Sequence, residues 1–164
     1  KNIKVWGRSD KSTEQYIEDM NQDGWNVRKV ESTCEIAESC DLIITATPSK
    51  IPLLKKESLK KGTHITALGS DSPGKQELEH DIFAKADLIV ADSKLQCLER
   101  GEIHHAIKHG IIEECDVQEL GSLISANEPI YRDEDQITIA DLTGVAVQDI
   151  QIAKAVYEEC ERIN

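Results

Sequence analysis

The sequence is short of aromatic residues, with one Phe, two Trp and three Tyr among 164 positions. A protein that stacks nucleic-acid bases needs several exposed aromatic rings. Basic residues are also scarce, because 19 Lys and Arg stand against 31 Asp and Glu and leave a formal net charge of −12. A chain of that charge is repelled by phosphate backbones and by anionic lipid surfaces. The composition therefore argues against a nucleic-acid partner and against binding at a membrane surface.

Long apolar runs, a signal-peptide pattern and closely paired cysteines are absent as well. A membrane-spanning helix needs about 20 consecutive apolar residues. The five cysteines are scattered and odd in number, which is typical of reduced thiols rather than of a disulfide framework or a zinc site. We predict a soluble, cytoplasmic protein with no membrane segment and no bound metal.

The sequence does contain an alternation of short β-branched runs with helix-forming stretches. Two helices are expected to begin in capping boxes at Ser12 and Ser32. Strands are predicted at residues 3–6, 26–30, 41–47, 63–68, 86–93 and 136–141, and further helices at 81–85, 95–100, 103–108, 117–124 and 145–162. This order is typical of βαβ units. We therefore expect an α/β fold with a Rossmann-like, doubly wound parallel sheet.

Three of the predicted strands end in small polar residues. These ends read Thr45-Ala46-Thr47, Gly69-Ser70-Asp71 and Asp141-Leu142-Thr143. Parallel strands bring their carboxyl ends to one edge of the sheet, where open α/β sheets bind ligands. Each corner taken alone is equally compatible with a turn, but together they predict a pocket.

A dinucleotide site of the usual kind also needs a Gly-x-Gly-x-x-Gly loop, and Gly7 stands alone. The chain begins directly with a strand, so we expect the first strand of the sheet and its Gly-rich loop to lie upstream. At the exit of that first strand in the sequence, Arg8 and Ser9 replace the acid that would bind a ribose 2′-hydroxyl. Both are predicted to contact the cofactor, and NADP is favoured over NAD, although Arg8 is also typical of a solvated turn.

Four segments together resemble the ornithine cyclodeaminase and mu-crystallin family: ATPSKIPLL, GSDSPGKQEL, ERGEIHHAI and ADLTGVAVQD, in that order. The resemblance extends from Ile3 to about Glu159. It implies that residues 1–145 form an NAD(P)-binding domain. Residues 146–164 would then form a helix that returns toward a substrate-binding and dimerisation domain absent from this sequence. A homodimer formed through that absent part is expected.

The same resemblance implies roles for particular residues. Asp71 matches the family's catalytic carboxylate and would contact the substrate together with Thr143, and we expect its pKa to be raised by burial in a cleft. Positions that would contact the cofactor are Thr45, Ala46, Thr47, Ile65, Thr66, Ala67, Leu68, Lys75 and Leu142. Read without the family, Asp71 is as well explained as a turn residue before Pro73, and Lys75 as a solvated lysine.

The activity implied is hydride transfer between a nicotinamide ring and the α-carbon of a small amino or cyclic imino acid. An ornithine cyclodeaminase is the leading expectation. An alanine dehydrogenase or a ketimine reductase is the alternative, and a non-catalytic NADPH-binding protein like mu-crystallin is a third. Glu102, His104 and His105 could suggest a metal site, but adjacent helical residues point about 100° apart, so a structural role is favoured.

Overall fold

The computed structural model describes residues 2–126, 129 and 131–163. Within them, seven strands run β1 (Asn2–Val5), β2 (Asn26–Lys29), β3 (Leu42–Thr45), β4 (His64–Ala67), β5 (Leu88–Ala91), β6 (Val117–Glu119) and β7 (Thr138–Asp141). Six α-helices run α1 (Asp10–Gln22), α2 (Thr33–Ser39), α3 (Lys94–Glu99), α4 (Glu102–Lys108), α5 (Leu120–Ser125) and α6 (Ala146–Ile163). The fold is α/β, as predicted.

Five strands form one parallel sheet in the order β3-β4-β7-β5-β6. Strand β7 is the last in sequence but lies in the middle, where Asp141 is level with Ala67 of β4 on one side and with Ala91 of β5 on the other. The carboxyl ends of the three central strands therefore meet at one edge.

The core of the sheet is built from β-branched and small residues. Ile65, Ile139 and Ala91 are fully inaccessible to solvent, and Leu78 and Phe83 pack in the same cluster. Burying each large apolar side chain contributes about 1.5–3 kcal/mol. This packing holds together the strands whose carboxyl ends form the edge.

Strands β1 and β2 pair in parallel with each other and form a separate two-stranded sheet. On α2, Ser39 accepts a hydrogen bond from the Lys4 ammonium at 2.6 Å, which ties β1 to that helix. Strand β3 is an edge of the larger sheet, and its Leu42 and Ile44 are more than half exposed. The expectation of a further strand upstream stays a prediction.

Two local predictions need correction. Residues 117–124 were predicted as one helix, but Val117–Glu119 forms strand β6, which pairs with β5, and α5 begins only at Leu120. A three-residue strand is too short to leave a period in the sequence. Helix α1 begins earlier than the Ser12 capping box predicted, because Ser9 is its N-cap and accepts the Ser12 N–H.

Helix α6 confirms the predicted long C-terminal helix. Its described side chains are all exposed, including those on the apolar side, Val147, Ile150, Ile152, Val156 and Tyr157. None of the helices in the described ranges has both the length and the apolar character that crossing a membrane requires.

Candidate active site at the carboxyl edge of the sheet

The three polar corners predicted from the sequence lie side by side. The Leu68 N–H donates to the Thr45 carbonyl at 2.8 Å, and the Leu142 N–H donates to the Ala67 carbonyl at 2.9 Å. Residues 45–47, 68–71 and 142–143 therefore form one continuous edge, as predicted.

Glu77 joins two of these corners. Its carboxylate accepts the Thr47 N–H at 2.5 Å and the Gly69 N–H at 3.0 Å, and its side chain is fully buried. A Cβ on Gly69 would lie 2.2 Å from the Thr47 carbonyl oxygen and 2.5 Å from the Glu77 carboxyl. Only glycine fits between these two groups.

The segment from Asp71 to Lys75 forms a tight turn above the edge. The Lys75 N–H donates to the Ser72 carbonyl at 3.2 Å, and Gly74 has a φ of +81°. Pro73 followed by a glycine with positive φ is the pattern of a type II turn. The turn brings the Lys75 ammonium to 2.7 Å from the Asp71 carboxylate.

The Asp71 side chain is 56% exposed. The hydrogen bond from Lys75 holds the pKa of Asp71 below its ordinary value. The expectation of a raised pKa is therefore wrong, because the carboxylate lies at the surface beside a cation rather than in an apolar cleft. Asp71 is ionised at neutral pH.

Two further carboxylates are buried next to the edge. Glu102 accepts the Glu77 N–H at 2.7 Å and the Leu78 N–H at 3.0 Å, and burial raises its pKa to about 8. Asp141 accepts the Ile103 N–H at 2.8 Å, and burial raises its pKa to about 7. Both carboxylates hold backbone amides of neighbouring segments in place.

A model of the ornithine cyclodeaminase/mu-crystallin family matches the sequence over residues 1–164. The chain belongs to this family. Over 125 residues, or 76% of this chain, it is 43% identical to the alanine dehydrogenase of Archaeoglobus fulgidus, of which it covers 38%.

Solved structures of family members have the same fold. An archaeal alanine dehydrogenase dimer with bound NAD matches with a TM-score of 0.88 and 36% identity, over 99% of this chain and 50% of that one. The Δ(1)-pyrroline-2-carboxylate reductase of Thermococcus litoralis, in complex with NADH and L-proline, matches with a TM-score of 0.89 and 27% identity, over 99% of this chain and 51% of that one. The chain thus spans about half the length of these solved relatives.

Four of the residues that the family resemblance assigned to the cofactor lie on β4 or directly after it, and they fall into two groups. The Ile65 and Ala67 side chains are buried in the core, so only their backbone can face a ligand. Thr66 bonds to the His64 ring, and Leu68 is exposed at the edge. Of these four residues, Leu68, which directly follows β4, therefore has the most available side chain.

The three threonines of the first and third corners differ in the hydrogen bonds of their hydroxyl groups. Thr45 is buried and its hydroxyl has no hydrogen-bond partner among the described residues, whereas the Thr47 hydroxyl accepts the Ser49 N–H. Thr143 donates its hydroxyl proton to Asp92 at 3.1 Å. That bond leaves the Thr143 oxygen able to accept.

Arg8 and Ser9 follow β1, in the smaller sheet. Ser9 serves as the N-cap of α1 and Arg8 is exposed. These local roles neither require nor prevent contact with a cofactor, so that contact stays a prediction. Among the described residues, no group of three or more His, Cys, Asp or Glu side chains is arranged to hold a metal ion.

Sequence reasoning missed Glu77. It placed Asp141 in a strand-end corner and favoured a structural role for Glu102, but it did not predict what either carboxyl group binds. Their partners are backbone amides, which carry no identity in the sequence. The available signal was that all three residues belong to segments that resemble the family: Glu77 to GSDSPGKQEL, Glu102 to ERGEIHHAI and Asp141 to ADLTGVAVQD.

Proposed function

We propose that this chain is the nicotinamide-nucleotide-binding part of an NAD-dependent enzyme that interconverts small α-amino and α-imino acids. In the oxidative direction, a hydride leaves the α-carbon of the amino acid and a proton leaves its nitrogen, which yields the imino acid, NADH and H⁺. The observation that carries this proposal is the Asp71–Lys75 pair, held beside three strand ends in a family segment whose relatives include an alanine dehydrogenase.

The mixture of apolar and charged groups at this edge supports a site for the nicotinamide ring. Leu68 and Ala46 are exposed there and Leu142 is half-buried, which provides apolar surface, and the Lys75 ammonium and the Asp71 carboxylate lie beside it. The cofactor, when bound, supplies the hydride acceptor or donor. We propose that the side chains of Thr47 and Lys75, the backbone at Thr45 and the apolar edge hold it.

NAD is the proposed cofactor rather than NADP. The solved relatives contain NAD or NADH, and Arg8, which favoured NADP, is an exposed residue after β1. Full-length protein titrated with both dinucleotides should bind NAD more tightly. Tighter binding of NADP, lost in Arg8→Ala, would reverse this assignment.

Asp71 is proposed to act as the catalytic carboxylate. Because Lys75 keeps it ionised, Asp71 can accept a proton from the substrate ammonium or hold that ammonium by charge. The protein side of the reaction then consists of orientation, exclusion of water and one placed base.

Activity is tested with full-length protein, NAD or NADH, and L-alanine, L-proline, L-ornithine and the corresponding imino acids. The absorbance of NADH should change when an amino or imino acid is added. Asp71→Asn should lower kcat by roughly 10²–10⁴-fold while NAD still binds. Asp133→Asn, which removes a carboxylate elsewhere on the surface, is the control, and an Asp71→Asn enzyme as active as that control contradicts the assignment.

A cyclodeaminase is the second candidate, since the family carries that name. It is distinguished by its products, because L-ornithine would release ammonia with no net accumulation of NADH. A protein that binds NADPH tightly and turns over none of these compounds would support the non-catalytic alternative.

The rest of the enzyme is proposed to complete both the cofactor site and the assembly. We propose that a strand with a Gly-rich phosphate loop joins the sheet, and that α6 leads to a substrate-binding part through its exposed apolar residues. One solved relative is a dimer, and we propose the same for the full-length protein. Light scattering on the purified protein measures this directly.

A further inference from the structure

Helix α4 contacts the backbone that follows the Asp71–Lys75 turn. The Glu102 carboxylate accepts the N–H groups of Glu77 and Leu78, at 2.7 and 3.0 Å. Three residues later, the His105 Nε2 lies 2.8 Å from the Lys75 carbonyl oxygen. Because residues three apart lie on one face of a helix, a single face of α4 holds residues 75–78.

The Lys75 carbonyl is held from two sides. A carbonyl can only accept, so the His105 Nε2 carries the hydrogen in this contact. The Ser70 hydroxyl donates to the same oxygen at 2.7 Å. Fixing the Lys75 backbone in this way also fixes the point from which its ammonium reaches Asp71.

The neighbouring histidine serves a different segment. The His104 Nδ1 lies 2.8 Å from the Leu98 carbonyl at the end of α3. The charged and titratable groups near His105 are His104 and Lys108 on α4 and His109, the C-cap residue of that helix, and its Lys75 contact is with the backbone. The two adjacent histidines therefore provide a test position and a matched control.

Burial of the Glu102 carboxyl group between α4 and residues 77–78 is energetically unfavourable in itself. The Glu102 side chain is fully buried, and it forms no salt bridge with any Lys, Arg or His of the described ranges. An apolar side chain would avoid the desolvation of a carboxyl group, but it would leave the Glu77 and Leu78 N–H groups unsatisfied. The arrangement favours placement of the backbone over packing.

We infer that Glu102 and His105 are positioning residues that set the location of the Asp71–Lys75 pair relative to the substrate. They act through the amides of Glu77 and Leu78 and the carbonyl of Lys75, and neither touches the reacting atoms. This inference rests on the proposed function of Asp71.

The first experiment compares His105→Phe, His105→Gln and His104→Phe in the full-length enzyme. In His105→Phe the turn loosens, so kcat falls by about 10- to 100-fold. The acidic limb of the pH profile moves to higher pH, because the weaker Lys75 contact lets the pKa of Asp71 rise toward its ordinary value. A loss of folded protein alone would lower activity without moving that limb.

The glutamine variant separates hydrogen bonding from charge. Gln retains an N–H donor but cannot be protonated, so His105→Gln should restore most of kcat and the position of the limb. If both variants shift the limb equally, the cause is the charge of the histidine, and the inference is wrong. His104→Phe should behave as the wild type.

A double-mutant cycle tests the shared carbonyl. Ser70→Ala and His105→Phe remove two donors to one oxygen, so their effects on kcat should be non-additive. Strictly additive effects would mean that the two side chains act independently and would contradict a common target.

Amide hydrogen exchange measures how firmly residues 75–78 are held, and it does not depend on catalytic turnover. The amides of Glu77 and Leu78 should exchange faster in Glu102→Gln than in the wild type, and the 75–78 segment should exchange faster in His105→Phe but not in His104→Phe. Unchanged exchange in both test variants defeats the inference alone. A fully active Asp71→Asn enzyme defeats the proposed function, whereas faster exchange in the test variants would still show that Glu102 and His105 hold residues 75–78.

Discussion

Glu77 determines how two corners of the candidate site meet, although its side chain is sealed from solvent. Its two carboxylate oxygens satisfy the N–H groups of Thr47 and Gly69, which belong to different strand ends. Each buried N–H left without a partner costs about 1–3 kcal/mol. The spacing of the corners thus depends on a residue that no ligand has to touch.

Gly69→Ala tests this close approach. The added methyl would overlap the Thr47 carbonyl and the Glu77 carboxyl, so we expect a destabilisation of about 1–3 kcal/mol and a large loss of activity. Thermal unfolding and kcat are the measurements. Gly121→Ala is the control, because a Cβ there meets nothing within 4 Å, and equal behaviour of the two variants would count against the tight corner.

The sequence was sufficient to single out Asp71 and Lys75, but not to predict the direction of the Asp71 pKa shift. The motif and its strand-end position were sufficient to single out Asp71. The direction of its pKa shift depends on exposure and on the Lys75 side chain, which a turn of unknown geometry does not reveal. Glu77 escaped notice because its partners are backbone amides from residues 8 and 30 positions away.

Helix α4 is joined to the central strand of the sheet by a buried side-chain contact. Asp141, at the end of β7, accepts the Ile103 N–H in the first turn of α4. Gly101 precedes the helix with a φ of +93°, and a Cβ there would lie 2.5 Å from the Asp141 carboxylate. The central strand and the helix that holds the Asp71–Lys75 turn are therefore joined directly.

The buried Glu102 predicts a dependence of stability on pH. Burial raises its pKa from 4.5 to about 8 in the folded state, so between these values the folded protein binds more protons than the unfolded chain. The free energy of unfolding must then decrease as pH rises across this range. The contribution is greatest below pH about 4.5 and is lost as pH passes through about 8.

Glu102→Gln removes this titration, so we expect Tm to fall less between pH 5 and 8 than in the wild type. Scanning calorimetry of the full-length protein at several pH values is the measurement. Glu99→Gln, an exposed position on the adjacent helix, should retain the wild-type slope. An unchanged slope in Glu102→Gln would contradict the buried titration.

Most elements were predicted within a few residues of their observed ends, because their apolar runs are local. Strand β6 was not, since its three residues are strand-like only through pairing with β5. The central place of β7 is likewise a non-local property, and nothing in the segment 136–141 distinguishes a central strand from an edge strand.

The exposed apolar side of α6 is the surface that another part of a longer protein would cover, and the half-length match with solved relatives agrees with this. Ile150 and Val156 are more than half exposed on a helix of 18 residues, and the chain spans 50% of the archaeal alanine dehydrogenase. Exposed apolar residues on one helix are costly unless another part of the protein covers them. The proposed remainder of the enzyme would supply that cover.

Ile150→Asp in the full-length protein tests the covered face. A carboxylate in an apolar contact is strongly unfavourable, so Tm should fall by several degrees and the dimer should weaken. Glu158→Gln, on the same helix, should leave both unchanged. Wild-type Tm and assembly in Ile150→Asp would mean that this face is open to solvent in the complete protein.

The order β3-β4-β7-β5-β6 also bears on how the chain is made. Strands β4 and β5 do not pair with each other, and both pair with β7. During synthesis, the pairs β3-β4 and β5-β6 therefore have no common partner until residues 138–141 have left the ribosome. Until then each pair presents an open strand edge that other chains can bind. Completion of this sheet therefore waits for β7, and a nascent chain stalled before Thr138 should depend more on chaperones than one stalled after Asp141.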